Sequence, residues 1–161
     1  MKELFEGSIK IPRGEAEVRA YCGDIVVDGD KVVAPKNWER DNMVLVEDFP
    51  FIGGKRLYVN RKIVEPLRAA LTEAEITCPD YKITKIACFA PRPNRNNPKK
   101  LSTHCWGIAV DINPDTNPNG PVLITDMPDA FVAAFERCGF RWGGRFGGNK
   151  DAMHMQLCEG Y

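Results

Sequence analysis

Apolar residues recur at helical spacing in two stretches of this chain and alternate with polar ones in several others. After Asn60, the residues Ile63, Leu67, Ala70 and Leu71 share one face, which predicts a helix capped by Asn60 and running to about Thr72–Ile76. Pro66 lies beyond the first turn of that pattern, so the helix should kink there or start later. A second helix is expected from about Pro128 to Cys138, with Phe131, Phe135 and Cys138 as its buried stripe. Thr125 or Asp126 would cap it and Gly139 would end it. Alternation predicts strands over Lys82–Phe89, Gly107–Asn113 and Met153–Cys158, while Asp24–Val33 reads as two short strands about an Asp28–Gly29 turn. Lys36–Trp38 and Glu47–Gly54 read as extended connections, Asn113–Pro121 as a turn segment, and Gly143–Gly148 as too glycine-rich for a regular element. This order predicts an α+β fold, a small and mainly antiparallel sheet with flanking helices.

At 161 residues the chain can bury a core without cross-links. Residues 1–55 carry no catalytic constellation and are expected to be an N-terminal extension packing on a domain formed by 56–161. Lys plus Arg equals Asp plus Glu, 22 each, so no net charge favours nucleic acid. The local basic run Arg92–Lys100 has no interleaved aromatic residues and reads as a solvated loop. No run of about 18 apolar residues predicts membrane insertion. Met1–Ser8 lacks the apolar core of a signal peptide, so synthesis in the cytoplasm is expected, with delivery by another route if the substrate lies outside. The six cysteines form no Cys-x-x-Cys pair, which argues against a zinc ribbon; most read as small core residues.

The chemistry concentrates in the last seventy residues. The only two histidines, His104 and His154, each lie near an aspartate. Neutral imidazole with carboxylate is a common ligand set for catalytic zinc, with one position left open for water. His104, Asp111 and His154 can supply three ligands, and Asp151 remains as a candidate base. On the strand after Gly107, residues Ile108, Val110 and Ile112 share one face and Ala109 and Asp111 the other. His104 is seven residues before Asp111, an odd offset that would point the two side chains apart on one regular strand. Gly107 supplies the break that lets the chain turn back. The last strand divides likewise, with Met153, Met155 and Leu157 opposite His154, Gln156 and Cys158. The zinc site is expected at the sheet edge.

The run Cys88-Phe-Ala-Pro-Arg92-Pro, then Leu101-Ser-Thr-His104-Cys-Trp-Gly107-Ile-Ala-Val-Asp111-Ile-Asn113, then Trp142-Gly-Gly-Arg-Phe and Asp151-Ala-Met-His154-Met, resembles the D-alanyl-D-alanine carboxypeptidase family of zinc peptidases. That family includes the VanX and VanY resistance enzymes and the L-alanyl-D-glutamate endopeptidases of phage endolysins, and it shares its architecture with the hedgehog signalling domains. The resemblance spans about residues 82–158. It implies Zn2+ on His104, Asp111 and His154, with Asp151 as general base; an aspartate in that place looks like the endolysin branch. It implies that Arg92 binds substrate or steadies an oxyanion, and that Ser102 orders its loop or contacts substrate. The implied activity is hydrolysis of peptidoglycan stem peptides by a monomer, at the L-Ala–D-Glu bond. The implied place of action is the cell wall, after release, holin-type delivery or as part of a virion. The alternatives are a D-Ala–D-Ala carboxypeptidase and a zinc-containing binding module without activity. Met155 and Gln156 depart from the family pattern, where an aromatic and an acidic residue commonly follow the histidine.

Overall fold

The computed structural model describes residues 9–28 and 31–161. In chain order these hold α1 (Gly14–Cys22), β1 (Val26–Asp28), β2 (Lys31–Val33), α2 (Lys36–Asn42), β3 (Met43–Val46), β4 (Leu57–Asn60), α3 (Val64–Thr77), β5 (Ile86–Ala87), β6 (Ala109–Ile112), β7 (Asn119–Gly120), α4 (Asp129–Arg137), β8 (Arg141–Trp142), β9 (Lys150–Asp151) and β10 (His154–Gln156). The α+β reading holds: helices surround small sheets whose strands pair antiparallel. The central sheet has the order β5-β6-β10-β8. Its register sets Asp111 opposite His154, Val110 opposite Met155 and Ala109 opposite Gln156.

The two expected helices form where the apolar spacing put them. Ile63, Leu67, Ala70 and Leu71 are all fully buried, as are Phe131 and Phe135. α3 packs on α4 and completes the core behind the sheet. Asn60 caps a single 3-10 turn, Arg61–Ile63, accepting from the Lys62 amide at 3.0 Å. The α-helix then begins at Val64, which leaves Pro66 in its first turn, where a missing N–H costs nothing. β1 and β2 pair as expected, with Asp28 in β1; Gly29 of the expected Asp28–Gly29 turn lies outside the described residues.

Several expectations are corrected. Lys36–Trp38 is the start of α2 rather than an extended connection; the Trp38 indole N–H reaches the Cys22 carbonyl at 2.6 Å and anchors the helix. α1 and the β3–β4 hairpin were not foreseen, and that hairpin pairs segments from either side of residue 55. The strand expected over Lys82–Phe89 is only two residues long. The Asn113 side-chain oxygen accepts from the Thr84 and Lys85 amides at 2.8 and 3.0 Å, so a side chain takes the place of a neighbouring strand. The turn segment Asn113–Pro121 includes a strand, β7, and the glycine-rich run includes a 3-10 turn at Gly143–Arg145. Neither Thr125 nor Asp126 caps α4, whose cap position is Pro128; both are engaged by Asn117 instead.

The chain turns at Gly107, as the spacing of His104 and Asp111 requires. Thr103–Trp106 is a 3-10 turn, and Gly107 closes it with φ 62°. A methyl group there would lie 2.6 Å from Met43 Cε and 3.0 Å from the Asn60 amide nitrogen. Gly107→Ala therefore meets both left-handed strain and overpacking. It should lower unfolding stability by about 2–4 kcal/mol in a denaturant titration.

Candidate metal centre and cleft

Three elements deliver three donor atoms to one point. His104 comes from the 3-10 turn, Asp111 from β6 and His154 from β10. His104 Nε2 lies 3.0 Å from Asp111 Oδ1 and 3.1 Å from His154 Nδ1, and His154 Nδ1 lies 3.0 Å from the same carboxylate oxygen. The expected position at the sheet edge is corrected: Asp111 and His154 face each other across the two central strands.

The partners of the outer ring nitrogens decide which atoms face inward. His104 Nδ1 lies 2.5 Å from the Cys88 carbonyl, which can only accept, so Nδ1 carries the proton and Nε2 presents a lone pair. The Gln156 amide nitrogen donates to the Cys158 carbonyl at 3.2 Å, which turns Gln156 Oε1 toward His154 Nε2 at 2.9 Å. Thr103 Oγ1 donates to the same oxygen at 3.3 Å. His154 therefore carries its proton on Nε2 and presents the Nδ1 lone pair.

Two neutral nitrogens and one carboxylate oxygen thus meet with no donor between them, an arrangement that only a cation or a shared proton relieves. Tetrahedral zinc with bonds of about 2.0–2.1 Å places its ligands about 3.3 Å apart. The triangle found here is slightly tighter, so the donor set fits zinc with a small outward relaxation. The electrostatics agree. Burial alone would raise the Asp111 carboxyl, but once the imidazoles take up protons, their hydrogen bonds and charge outweigh it and hold it well below the usual carboxylate range. Burial likewise works against the His154 imidazolium, yet Asp111 and Asp151 push His154 above its ordinary value. A proton and a divalent ion compete for the same pocket.

Beside the triangle a cleft is lined by Arg92, Arg95, Ser102, Thr103, Phe146 and Asp151, among others. Asp151 sits on β9, held close by the glycine turn: a methyl on Gly143 would lie 2.4 Å from the Asp151 carbonyl oxygen. Its Oδ1 is buried without a hydrogen-bond partner among the described residues. Arg92 is held through its main chain. Its amide donates to Cys105 Sγ at 3.2 Å, and that thiol donates back to the Arg92 carbonyl at 3.0 Å. Burial and then Arg95 lower the Arg92 guanidinium from its ordinary value, with Asp111 and Asp151 opposing. Ser102 accepts from the His104 amide at 3.4 Å at the start of the 3-10 turn. The six cysteines are buried and free. Among the described residues no helix is long and apolar enough to cross a membrane.

A family model described as D-alanyl-D-alanine carboxypeptidase matches residues 95–157. The chain is a zinc metallopeptidase. No solved structure matches it. The matched stretch of the peptidase holds Ser102, His104, Asp111, Asp151 and His154; Arg92 lies just before it. Reasoning from the sequence missed Thr103, Cys105 and Gln156 as supports of the site. For Gln156 the signal was present: it sits on the polar face of its strand, two residues from His154.

The peptidase should bind one zinc ion per chain, and excess chelator should lower its melting temperature, since a ligand held only by the native state stabilises it. His154→Ala should abolish stoichiometric binding. Gln156→Leu, which removes the acceptor that sets the His154 tautomer, should weaken zinc by about 10- to 100-fold in a competition titration.

Proposed function

We propose that this zinc metallopeptidase cuts the stem peptides of bacterial peptidoglycan, as an endolysin-type L-alanyl-D-glutamate endopeptidase. The observation that carries the reading is the triangle of His104, Asp111 and His154, set beside a cleft that contains a free carboxylate and arginine side chains. Zinc in the triangle would acidify a water to a pKa of ~7 and polarise a carbonyl.

The chain's own groups do the rest. Asp151 lines the cleft, and its buried Oδ1 has no hydrogen-bond partner among the described residues. There it takes a proton from the attacking water and returns it to the leaving amine. Arg92 and Arg95 line the same cleft, and an arginine whose charge is incompletely compensated favours an anionic partner. Stem peptides are acidic and supply such carboxylates. Arg92 either binds one of them or faces the negative charge that develops on the scissile carbonyl. Ser102, a cleft residue as well as the support of the turn, can contact the substrate backbone.

The description of the matching family favours a second reading, a D-Ala–D-Ala carboxypeptidase that removes only the terminal residue. A binding module that keeps zinc without hydrolysis has no use for the free oxygen of Asp151. The proposed place of action is the cell wall, reached on release or by holin-type delivery. A digest of purified peptidoglycan, run with and without chelator and read by mass spectrometry, separates the three. New N-terminal D-Glu with zinc alone supports the endopeptidase. Free D-Ala points to the carboxypeptidase, and intact muropeptides to the binding module. Asp151→Asn should keep its zinc and lose turnover by about 10²- to 10⁴-fold; full activity in that variant would remove Asp151 from the mechanism.

A further inference from the structure

Three buried side-chain atoms have no hydrogen-bond partner among the described residues: Asn119 Nδ2, Asp151 Oδ1 and the Tyr161 hydroxyl. Two of them belong to residues that face each other. β7 and β9 pair antiparallel with Asn119 directly opposite Asp151. Side chains at directly opposed positions stand on the same face of the ribbon, their Cβ atoms about 4.5–5.5 Å apart. One orphan can only donate and the other can only accept.

We propose that Asn119 is a positioning residue for Asp151. Its side-chain amide donates to the inner carboxylate oxygen, directly or through one bridging water, and so leaves the outer oxygen facing the cleft. This rests on the reading of Asp151 as the base. The need for such a group is physical. The terminal torsion of an aspartate is broad and roughly two-fold, so an unheld carboxylate turns freely between cleft and interior. Gly143 allows the close approach that sets the Asp151 backbone, but nothing else among the described residues holds its side chain.

Asn119 is itself on a braced segment. The Asn117 amide nitrogen reaches the Asn113 carbonyl at 3.0 Å and Asp126 Oδ1 at 2.9 Å, while Asn117 Oδ1 accepts from the Thr125 hydroxyl at 2.6 Å. The Asn113 amide nitrogen in turn reaches the Lys82 carbonyl at 2.8 Å. The donor is thus carried by a turn whose own amides are satisfied. An aspartate at position 119 would be almost the same shape but would set a second carboxylate against the first.

The test joins kinetics to spectroscopy on the zinc-loaded protein. Asn119→Ala and Asn119→Asp should each hold one zinc per chain and keep KM within about two-fold, while kcat falls by about 10- to 100-fold. Wild-type kcat in Asn119→Ala, with full zinc, overturns the assignment. Should the variants not fold, the wild-type Asn119 side-chain amide still reports. Its NMR signal should exchange slowly with solvent and should shift in Asp151→Asn. A freely exchanging signal indifferent to Asp151 overturns the pairing whether or not the protein cleaves peptidoglycan. An inactive wild type that shows the protected amide would instead overturn the proposed reaction and leave the pair standing.

Discussion

Three lone-pair atoms held within 3.1 Å of one another are the constraint on which this molecule turns. Such a cluster is unfavourable by itself, because two imidazole nitrogens and a carboxylate oxygen offer each other no proton. It persists because each atom is fixed by a different device. The register of β6 on β10 sets Asp111 against His154, and the 3-10 turn ended by Gly107 swings His104 back over them. The Cys88 carbonyl and the Gln156 amide then occupy the outward nitrogens, so neither ring can relieve the crowding by changing tautomer. The fold stores a strong preference for a small cation, and the zinc chemistry follows from that preference.

The frame around this cluster uses little regular sheet. No strand of the central sheet exceeds four residues. Buried side-chain amides supply what the short ladders lack. Asn60 donates to the Trp106 carbonyl at 3.0 Å, Asn113 replaces a strand for Thr84 and Lys85, and Asn117 ties its turn to Asp126. Each is a buried polar group whose bonds are made, so each specifies one backbone path rather than several. Amides suit this work because a single side chain both donates and accepts.

How much of this the sequence discloses depends on whether the signal is local. The period of the apolar residues places α3 and α4, and alternation places Asp111 on the polar face of its strand. The odd offset between His104 and Asp111 forces a break, and Gly107 is where it occurs. What stays hidden is what depends on partners far along the chain. In α1 only Val18 and Cys22 are buried, so its stretch reads as polar and carries no stripe to betray a helix. Lys82–Phe89 alternates like a strand, yet the Thr84 and Lys85 amides pair with the side chain of Asn113, which no period reveals. The role of Gln156 was visible as a place on a face but not as a choice of tautomer, because that choice depends on the Cys158 carbonyl.

The segment before residue 56 and the metal centre are joined at the turn that carries His104. The Trp106 indole N–H donates to the Gly23 carbonyl at 2.9 Å, and Arg19 lies over the same ring, 5.5 Å from its centroid. Glu15 accepts from the Leu101 amide at 3.4 Å at the other end of the turn, and Met43 packs where a side chain on Gly107 would go. A 3-10 turn of four residues has few internal bonds with which to hold its shape. Its rigidity must come from what it packs against, and α1 and β3 supply that surface. Since His104 is the one ligand that does not lie on the sheet, the geometry of the cluster is set as much by the N-terminal segment behind the turn as by the strands beneath it.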